Sequence, residues 1–324
     1  MKRKTLTIGS RGSDLALWQA RWVESRLRAL HPSLDVRIEI IKTKGDKILD
    51  SPLSKIGDKG LFTREIEAAL LAGHIDAAVH SLKDLPTELP PGLTIGAICE
   101  REDVRDVFIP HPNNSVRTLA KQAPGAHIAT GSLRRKCQLL AFRSDLVVID
   151  IRGNLNTRMK KLAESDWAGM ILARAGVMRL GWESQIGETL PPEVILPAVG
   201  QGALGIEIRS GDKAAADLLA GLIHQPTADA TCAERALLRR LEGGCQVPIG
   251  TYGRIAADVS GVSVLHLDAM VGSLDGKHVI RGKIHGGPEE AERLGTSLAE
   301  TLLSGGAERI LREIRAMTPQ HEPA

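Results

Sequence analysis

A short apolar run, a loop rich in Gly, Ser and Arg, and then an amphipathic helix recur along this chain, and that unit constrains the fold more than any other feature. Thr5–Ile8 reads as a strand, Gly9-Ser10-Arg11-Gly12-Ser13 as the loop, and Asp14–Leu30 as a helix with Leu15, Trp18, Trp22 and Leu30 on one face. Val36, Ile38 and Ile40 then alternate at period two, the mark of a strand. Strand, helix and strand in that order predict a parallel sheet, because parallel neighbours need a crossover connection. The first loop sets backbone N–H groups, two serines and Arg11 at a helix N-terminus, which suits an anion. A plain cap by Ser13 with a solvated Arg11 accounts for the loop equally well.

Thr43–Lys59 reads as a loop, either functional or a solvated connection. Leu61–Leu71 reads as a helix stopped at Gly73, and Ile75–Val79 as a strand followed by His80-Ser81-Leu82-Lys83-Asp84-Leu85-Pro86. Lys83 and Asp84 thus fall where a parallel strand runs out, the end at which open α/β sheets bind ligands. A carboxylate there, beside cations, can take and return a proton or stabilise a developing cation. A turn with one exposed ion pair is the plainer alternative. Leu93–Ile98 is a further strand.

After Cys99–Arg105 the pattern restarts. His127–Ala129 leads through Thr130-Gly131-Ser132 to a helix over Leu133–Phe142 carrying Arg134 and Arg135. Leu146–Ile151 leads through Arg152-Gly153-Asn154 to a helix carrying Arg158, and Met170–Ala173 leads through Arg174 to a short helix carrying Arg179. A solvated surface does not explain why successive strand ends should all carry arginine. Guanidinium groups grip carboxylates bidentately and keep their charge, so a ligand with many carboxylates, or phosphates, is expected. Gly200, Gly202 and Gly205 spell GxGxxG, but a strand rather than a helix follows, which rejects a dinucleotide fingerprint. The glycines mark a crossing between domains instead.

From Thr227 the character changes to a helix, three strands with a hairpin turn at Asp275-Gly276, and two closing helices, an α+β pattern with an antiparallel sheet. The expected fold is therefore α/β, with mainly parallel sheets and a smaller α+β C-terminal domain holding a three-stranded antiparallel sheet. Boundaries are expected at residues 1–102 with 201–222 for a discontinuous first domain, 103–200 for a second and 223–324 for the third. Between the third domain's first helix and first strand lies Leu-Glu-Gly-Gly-Cys-Gln-Val-Pro-Ile-Gly, residues 241–250. Gly243 and Gly244 allow close approach and Pro248 stiffens the exit, so Cys245 sits on a tight loop as a candidate nucleophile. A small buried filler is the other reading of a free cysteine.

Composition removes several classes. The four cysteines are scattered without a CxxC pair, and the ten histidines lack ligand spacing, which argues against a disulfide framework and a metal site and for a reducing cytoplasm. Net charge is only +3 and aromatics are 2%, too little for a nucleic-acid surface. The start, MKRKTLTIGS, lacks the apolar run of a leader, and no stretch is long enough to span a bilayer.

Taken together, Arg11–Ala16, Lys59–Phe62, Val79–Pro86, Ser132–Arg135, Arg152–Asn154 and Leu241–Cys245 make the chain resemble the porphobilinogen deaminase family over essentially its whole length. The resemblance implies two lobes like the halves of a periplasmic binding protein, with the active site in the cleft, and a third domain carrying the cysteine. It implies a dipyrromethane cofactor held by Cys245 through a thioether. Four porphobilinogens are then joined head to tail with loss of ammonia, and water releases hydroxymethylbilane. Asp84 is implied as the catalytic carboxylate, hydrogen-bonding pyrrole N–H groups and stabilising the cation left when ammonia departs. Arg11, Ser13, Lys83, Ser132, Arg134, Arg135, Arg152, Arg158 and Arg179 are implied to bind cofactor and substrate carboxylates, and junction position adds Arg174. The implied partner is porphobilinogen, with no nucleic acid, membrane or metal, and the expected state is a monomer. A cytoplasmic carboxylate- or phosphate-binding module on a two-lobed scaffold, without catalysis, is the rival reading, but it has no use for Cys245 or Asp84. One departure stands out: Gly131 replaces a serine common in the family, so one hydroxyl donor is missing.

Overall fold

The computed structural model describes residues 3–47, 63–241 and 247–317. Cys245 with its glycines, the Lys59–Phe62 stretch, most of the expected 43–59 loop and the tail beyond Met317 lie outside the described residues.

In chain order the elements begin with β1 (Thr5–Ser10), α1 (Asp14–Leu30), β2 (Asp35–Ile40), α2 (Lys44–Lys47), α3 (Arg64–Leu71), β3 (Ala77–Ser81) and β4 (Leu93–Ile98). They continue with β5 (Asp106–Pro110), β6 (His127–Ala129), α4 (Leu133–Phe142), β7 (Val147–Ile149), α5 (Leu155–Ala163), β8 (Gly169–Ala173), α6 (Arg174–Arg179) and β9 (Glu188–Leu190). The last are β10 (Leu204–Arg209), α7 (Lys213–Leu219), α8 (Gln225–Arg240), β11 (Ile249–Ala257), β12 (Ser263–Gly272), β13 (Val279–Gly286), α9 (Ala291–Leu302) and α10 (Glu308–Met317). No helix among the described residues is long and apolar enough to cross a membrane.

The chain divides into two compact units. One takes the described residues of Met1–Leu49, Asp58–Glu102 and Gly200–Ala228. Its five-stranded sheet has the order β2-β1-β3-β10-β4, with β1 parallel to β2 and β3, and β10 antiparallel to both its neighbours. The core is built by period: Leu6 and Ile8 from β1, Val23 and Leu27 from α1, and Ile206 and Ile208 from β10 are all buried together. α1 starts where it does because Ser13 caps it, its side chain accepting from the Ala16 N–H. Where the chain leaves and re-enters this unit, Gly202 adopts φ 88°, and a Cβ there would lie 2.4 Å from the Glu102 carbonyl oxygen. Only glycine permits that backbone conformation and that approach.

The other unit takes the described residues of Asp103–Val199 and Asp229–Ala324. Its larger sheet runs β7-β6-β8-β5-β9, with β6 parallel to β7 and β8, and β5 antiparallel to β8 and β9. In both five-stranded sheets the antiparallel strand is the first one made after the chain crosses over, β5 after Asp103 and β10 after Gly200. The C-terminal part pairs β11, β12 and β13 antiparallel, with α8, α9 and α10 contributing Leu237, Leu294, Leu298, Ile310 and Leu311 to a core with Leu265 and Leu267. The fold is thus α/β with two mostly parallel sheets plus a smaller α+β part. The GxGxxG glycines lead into β10, a strand, as the rejection of that motif requires.

Candidate active site

In the first unit, β1 and β3 are parallel neighbours, so the loops after them emerge at one sheet edge. After β1 come the partly buried Arg11 and Ser13, and after β3 a single 3₁₀ turn, Leu82–Asp84. Leu82 is buried and anchors that turn, which leaves Lys83 partly buried and Asp84 exposed. Gln19 on α1 ties the two loops' elements together by donating to the Ser81 hydroxyl at 2.8 Å. The sequence-predicted residues Arg11, Ser13, Lys83 and Asp84 therefore share the carboxyl ends of two adjacent strands, the position at which α/β sheets meet ligands.

Beneath this edge lies a buried acid group that sequence reasoning missed. His80 Nε2 stands 3.2 Å from Glu207 Oε2, with both side chains shut off from solvent. Glu67 on α3 is buried near them, and burial followed by the Glu207 carboxylate pushes its carboxyl up. β10 reads as an apolar strand with one charged residue inward, and that inward Glu207 was the available signal.

In the second unit, β7, β6 and β8 are adjacent and parallel, and their carboxyl ends carry the expected residues. After β6, the Ser132 side chain caps α4 by accepting from the Arg135 N–H at 3.4 Å. Arg134 and Arg135 then turn into the core. Arg134 Nη1 donates to Asp106 Oδ2 and Arg135 Nη2 to Asp106 Oδ1, both at 2.8 Å. The Asp106 side chain is fully buried, and the two arginine side chains are only 5% and 7% exposed. Burial alone would raise the Asp106 carboxyl, yet the two guanidinium groups more than offset it and hold it well below the carboxylate range. Burial pushes Arg134 down. Asp106 escaped sequence reasoning because it heads an apolar strand far from α4 in the chain.

After β7, Arg152 is partly buried, with Asp150 Oδ2 4.0 Å from its Nε. Burial pushes it down as well. Asn154 caps α5, and Arg158 Nε donates to the Gly153 carbonyl at 2.8 Å. After β8, Arg174 is engaged structurally: its Nε lies 3.1 Å from Asp103, its Nη2 3.6 Å from Glu183, and its Nη1 donates to Thr189. Arg179 closes α6 and is partly buried.

The donor set fits a polyacid. Arg134, Arg135 and Arg152 each keep a buried Nε–H without a hydrogen-bond partner among the described residues. Arg134, Arg135 and Asp106 together enclose two positive charges and one negative. A cluster of that sign is matched by carboxylates, and a dipyrromethane bearing acetate and propionate side chains brings them. The described residues contain no group of three or more His, Cys, Asp or Glu able to hold a metal ion.

Each unit by itself is an α/β body with charged side chains at the carboxyl ends of its parallel strands, Lys83 and Asp84 in one and Arg134, Arg135 and Arg152 in the other, which defines the class as α/β proteins with ligand-binding strand ends. Comparison with known proteins narrows that class. A family model described as porphobilinogen deaminase, dipyromethane cofactor binding domain, matches residues 6–217, and the family's C-terminal domain model matches residues 228–304. A porphobilinogen deaminase of Carboxydothermus hydrogenoformans is 54% identical over 313 residues, covering 97% of this chain and 98% of that protein. One of Chlorobium phaeobacteroides is 53% identical over 317 residues, covering 97% and 99%. Among solved structures, the periplasmic VFT2 domain of Bordetella pertussis BvgS aligns with a TM-score of 0.41 at 13% identity, over 67% of this chain and 86% of that one. The chain belongs to the porphobilinogen deaminase family.

Proposed function

We propose that the chain is the transferase of tetrapyrrole synthesis that joins four porphobilinogen molecules head to tail, releasing ammonia at each addition and hydroxymethylbilane at the end. The observation that carries this reading is the exposed Asp84 carboxylate beyond β3, at the same sheet edge as Arg11, Ser13 and Lys83. When bound at Cys245, a dipyrromethane would supply the free pyrrole carbon from which the chain of porphobilinogen units is extended.

Cys245 is the proposed attachment point. A thioether to its sulfur resists hydrolysis, whereas an ester would be lost during turnover. Asp84 accepts hydrogen bonds from pyrrole N–H groups, stabilises the cation left on the substrate when ammonia departs, and holds the proton lost at the joining carbon. Arg11, Lys83, Arg134, Arg135, Arg152, Arg158 and Arg179 meet the acetate and propionate groups. The caps Ser13 and Ser132 add hydroxyl and backbone donors at two helix starts. The buried, unpartnered Nε–H groups support this assignment for Arg134, Arg135 and Arg152. Residues 223–324 form the cofactor-carrying domain in this reading, and 1–102 with 201–222 and 103–200 are the substrate-handling ones. A reducing cytoplasm accords with four scattered cysteines, and the chain acts as a monomer in this reading.

Intact-protein mass tests the tether. Purified protein should carry an increment of two pyrrole units, and Cys245→Ser should not. An active preparation of bare chain mass refutes the attachment. Asp84→Asn should keep that increment and the fold but lose on the order of a hundredfold or more in turnover, the usual weight of a general acid or base. Turnover near the wild-type rate removes Asp84 from the mechanism.

A further inference from the structure

Gln138 lies on α4 one turn beyond Arg134 and is 1% exposed. Both ends of its side chain reach Leu196, and Nε2 also donates to the Arg134 carbonyl at 3.3 Å. Oε1 accepts from the Leu196 N–H at 2.8 Å, and Nε2 donates to the Leu196 carbonyl at 3.1 Å. A side-chain amide offers an acceptor and a donor to the N–H and C=O of one residue without any change of protonation. The same Leu196 carbonyl accepts from Arg134 Nη1 at 2.6 Å. Residue 196 is therefore bonded to the arginine helix along its whole polar edge.

The opposite side of this segment meets β11. A Cβ at Gly250 would stand 2.9 Å from the Leu196 Cβ and 3.1 Å from its carbonyl oxygen, so β11 approaches as closely as a bare backbone allows. The next residue, Thr251, donates its N–H to the Pro197 carbonyl at 2.9 Å. Leu196, Met270 of β12 and Cys137 of α4 are buried together around this junction. Leu196-Pro197 is thus held by α4 on one side and by β11 on the other. Cys245 stands four residues before Ile249, the first residue of β11.

We propose that Gln138 is a positioning residue that sets the register between β11, the strand that follows Cys245 in the chain, and Arg134. The amide fixes Leu196, and Leu196-Pro197 fixes Gly250-Thr251 at the start of β11. A polyacid attached at Cys245, four residues before β11 in the chain, then meets a cation already held in register with that strand rather than one found at each loading. Pre-setting removes an orientational search, and misplacement of a reacting group by as little as an ångström costs up to about a hundredfold in rate. This inference rests on the reading of Cys245 as the attachment point and of Arg134 as a carboxylate ligand.

The test uses the full-length chain expressed in cells unable to make porphobilinogen, then supplied with it, and follows the covalent mass increment with time. Gln138→Met keeps the length and loses all three hydrogen bonds of the amide. Gly250→Ala attacks the same junction from the other side. Leu311→Ala, deep in the C-terminal core, serves as a control for stability alone. Per folded chain, measured by circular dichroism, both junction variants should load about tenfold more slowly or worse, while Leu311→Ala loads at the wild-type rate. Loading that falls only in proportion to the unfolded fraction, or stays within about twofold of wild type per folded chain, overturns the proposal. Cys245→Ser, run alongside, separates the two readings. If it still gains the increment, the tether assignment is wrong. If it does not, while Gln138→Met and Gly250→Ala load normally, only the positioning role is wrong.

Discussion

Asp106→Asn removes one negative charge from a place water does not reach. In the native protein the fully buried carboxylate gives Oδ2 to Arg134 and Oδ1 to Arg135, each at 2.8 Å. Asparagine can still accept from one guanidinium, but its NH2 then faces the donors of the other. The variant leaves two buried cations with no carboxylate, and breaking a buried pair in this way costs about 3–5 kcal/mol. At about 2–4 °C per kcal/mol for a body of this size, the thermal midpoint of the second unit should fall by roughly 10 °C. Differential scanning calorimetry at neutral pH reads the shift, and Asp145→Asn, which removes the exposed partner of Arg143, should leave the midpoint unmoved. The pH dependence has a definite sign. The Asp106 carboxyl is depressed below its ordinary 3.8 in the folded state, so its contribution is complete above that value and is lost as pH falls below it. The gap between wild type and Asp106→Asn should therefore be widest at neutral pH and narrow on acidification below about pH 4. A drop of less than about 3 °C, or a gap that widens in acid, refutes the idea that Asp106 carries the charge of both arginines.

Three further outcomes follow from particular environments. A Cβ at Gly131 would stand 2.5 Å from the Ile151 carbonyl oxygen, so Gly131→Ser should cost about 1–3 kcal/mol by overpacking, and an unchanged melting curve would show that the loop yields. Glu67 is raised above 4.5 by burial, so the folded wild type binds the extra proton and loses stability as pH rises through and beyond that value. Glu67→Gln should therefore be the more stable protein at neutral pH, with the advantage vanishing near pH 4.5; urea melts at the two pH values decide it. Burial pushes the Cys137 thiol up to about 12, so a maleimide should leave it unmodified in the native protein at neutral pH and label it after denaturation; native labelling seen by peptide mass refutes the packing described for α4.

Periodicity carried the sequence reading a long way. The bounds expected for α1 and α4 coincide with the observed helices, and the three strands expected in the C-terminal part are β11 to β13, with Asp275-Gly276 between β12 and β13. These segments announce themselves because each buries one face at a fixed spacing. Strand direction is a different matter. Nothing local in Leu204–Arg209 says that it enters between β3 and β4 against their direction, because that depends on where the chain returns from. β5 and β9 escaped for a related reason: short runs such as Glu188–Leu190 have too few residues for a period. At the site, strand-end logic located Arg11, Ser13, Lys83 and Asp84 at one sheet edge without any contact information. It could not foresee what Arg134 and Arg135 touch. Their partner Asp106 is distant in sequence, and a carboxylate at the head of an apolar strand looks like a solvated end until the fold encloses it. Gln138 was invisible too, since its partner is backbone and any residue could have stood at 196.

The order in which the chain leaves the ribosome now has a consequence. All five strands of the second unit's larger sheet lie between Asp106 and Leu190, so that sheet can close as soon as Leu190 is available. The first unit, although begun earlier, cannot: β4 pairs only with β10, which ends at Arg209. A growing chain short of that point holds β3 and β4 with open edges, the kind of surface that invites wrong pairing. The N-terminal half is therefore completed after the middle of the protein, and a messenger truncated near codon 200 yields one finished sheet and one that cannot be finished.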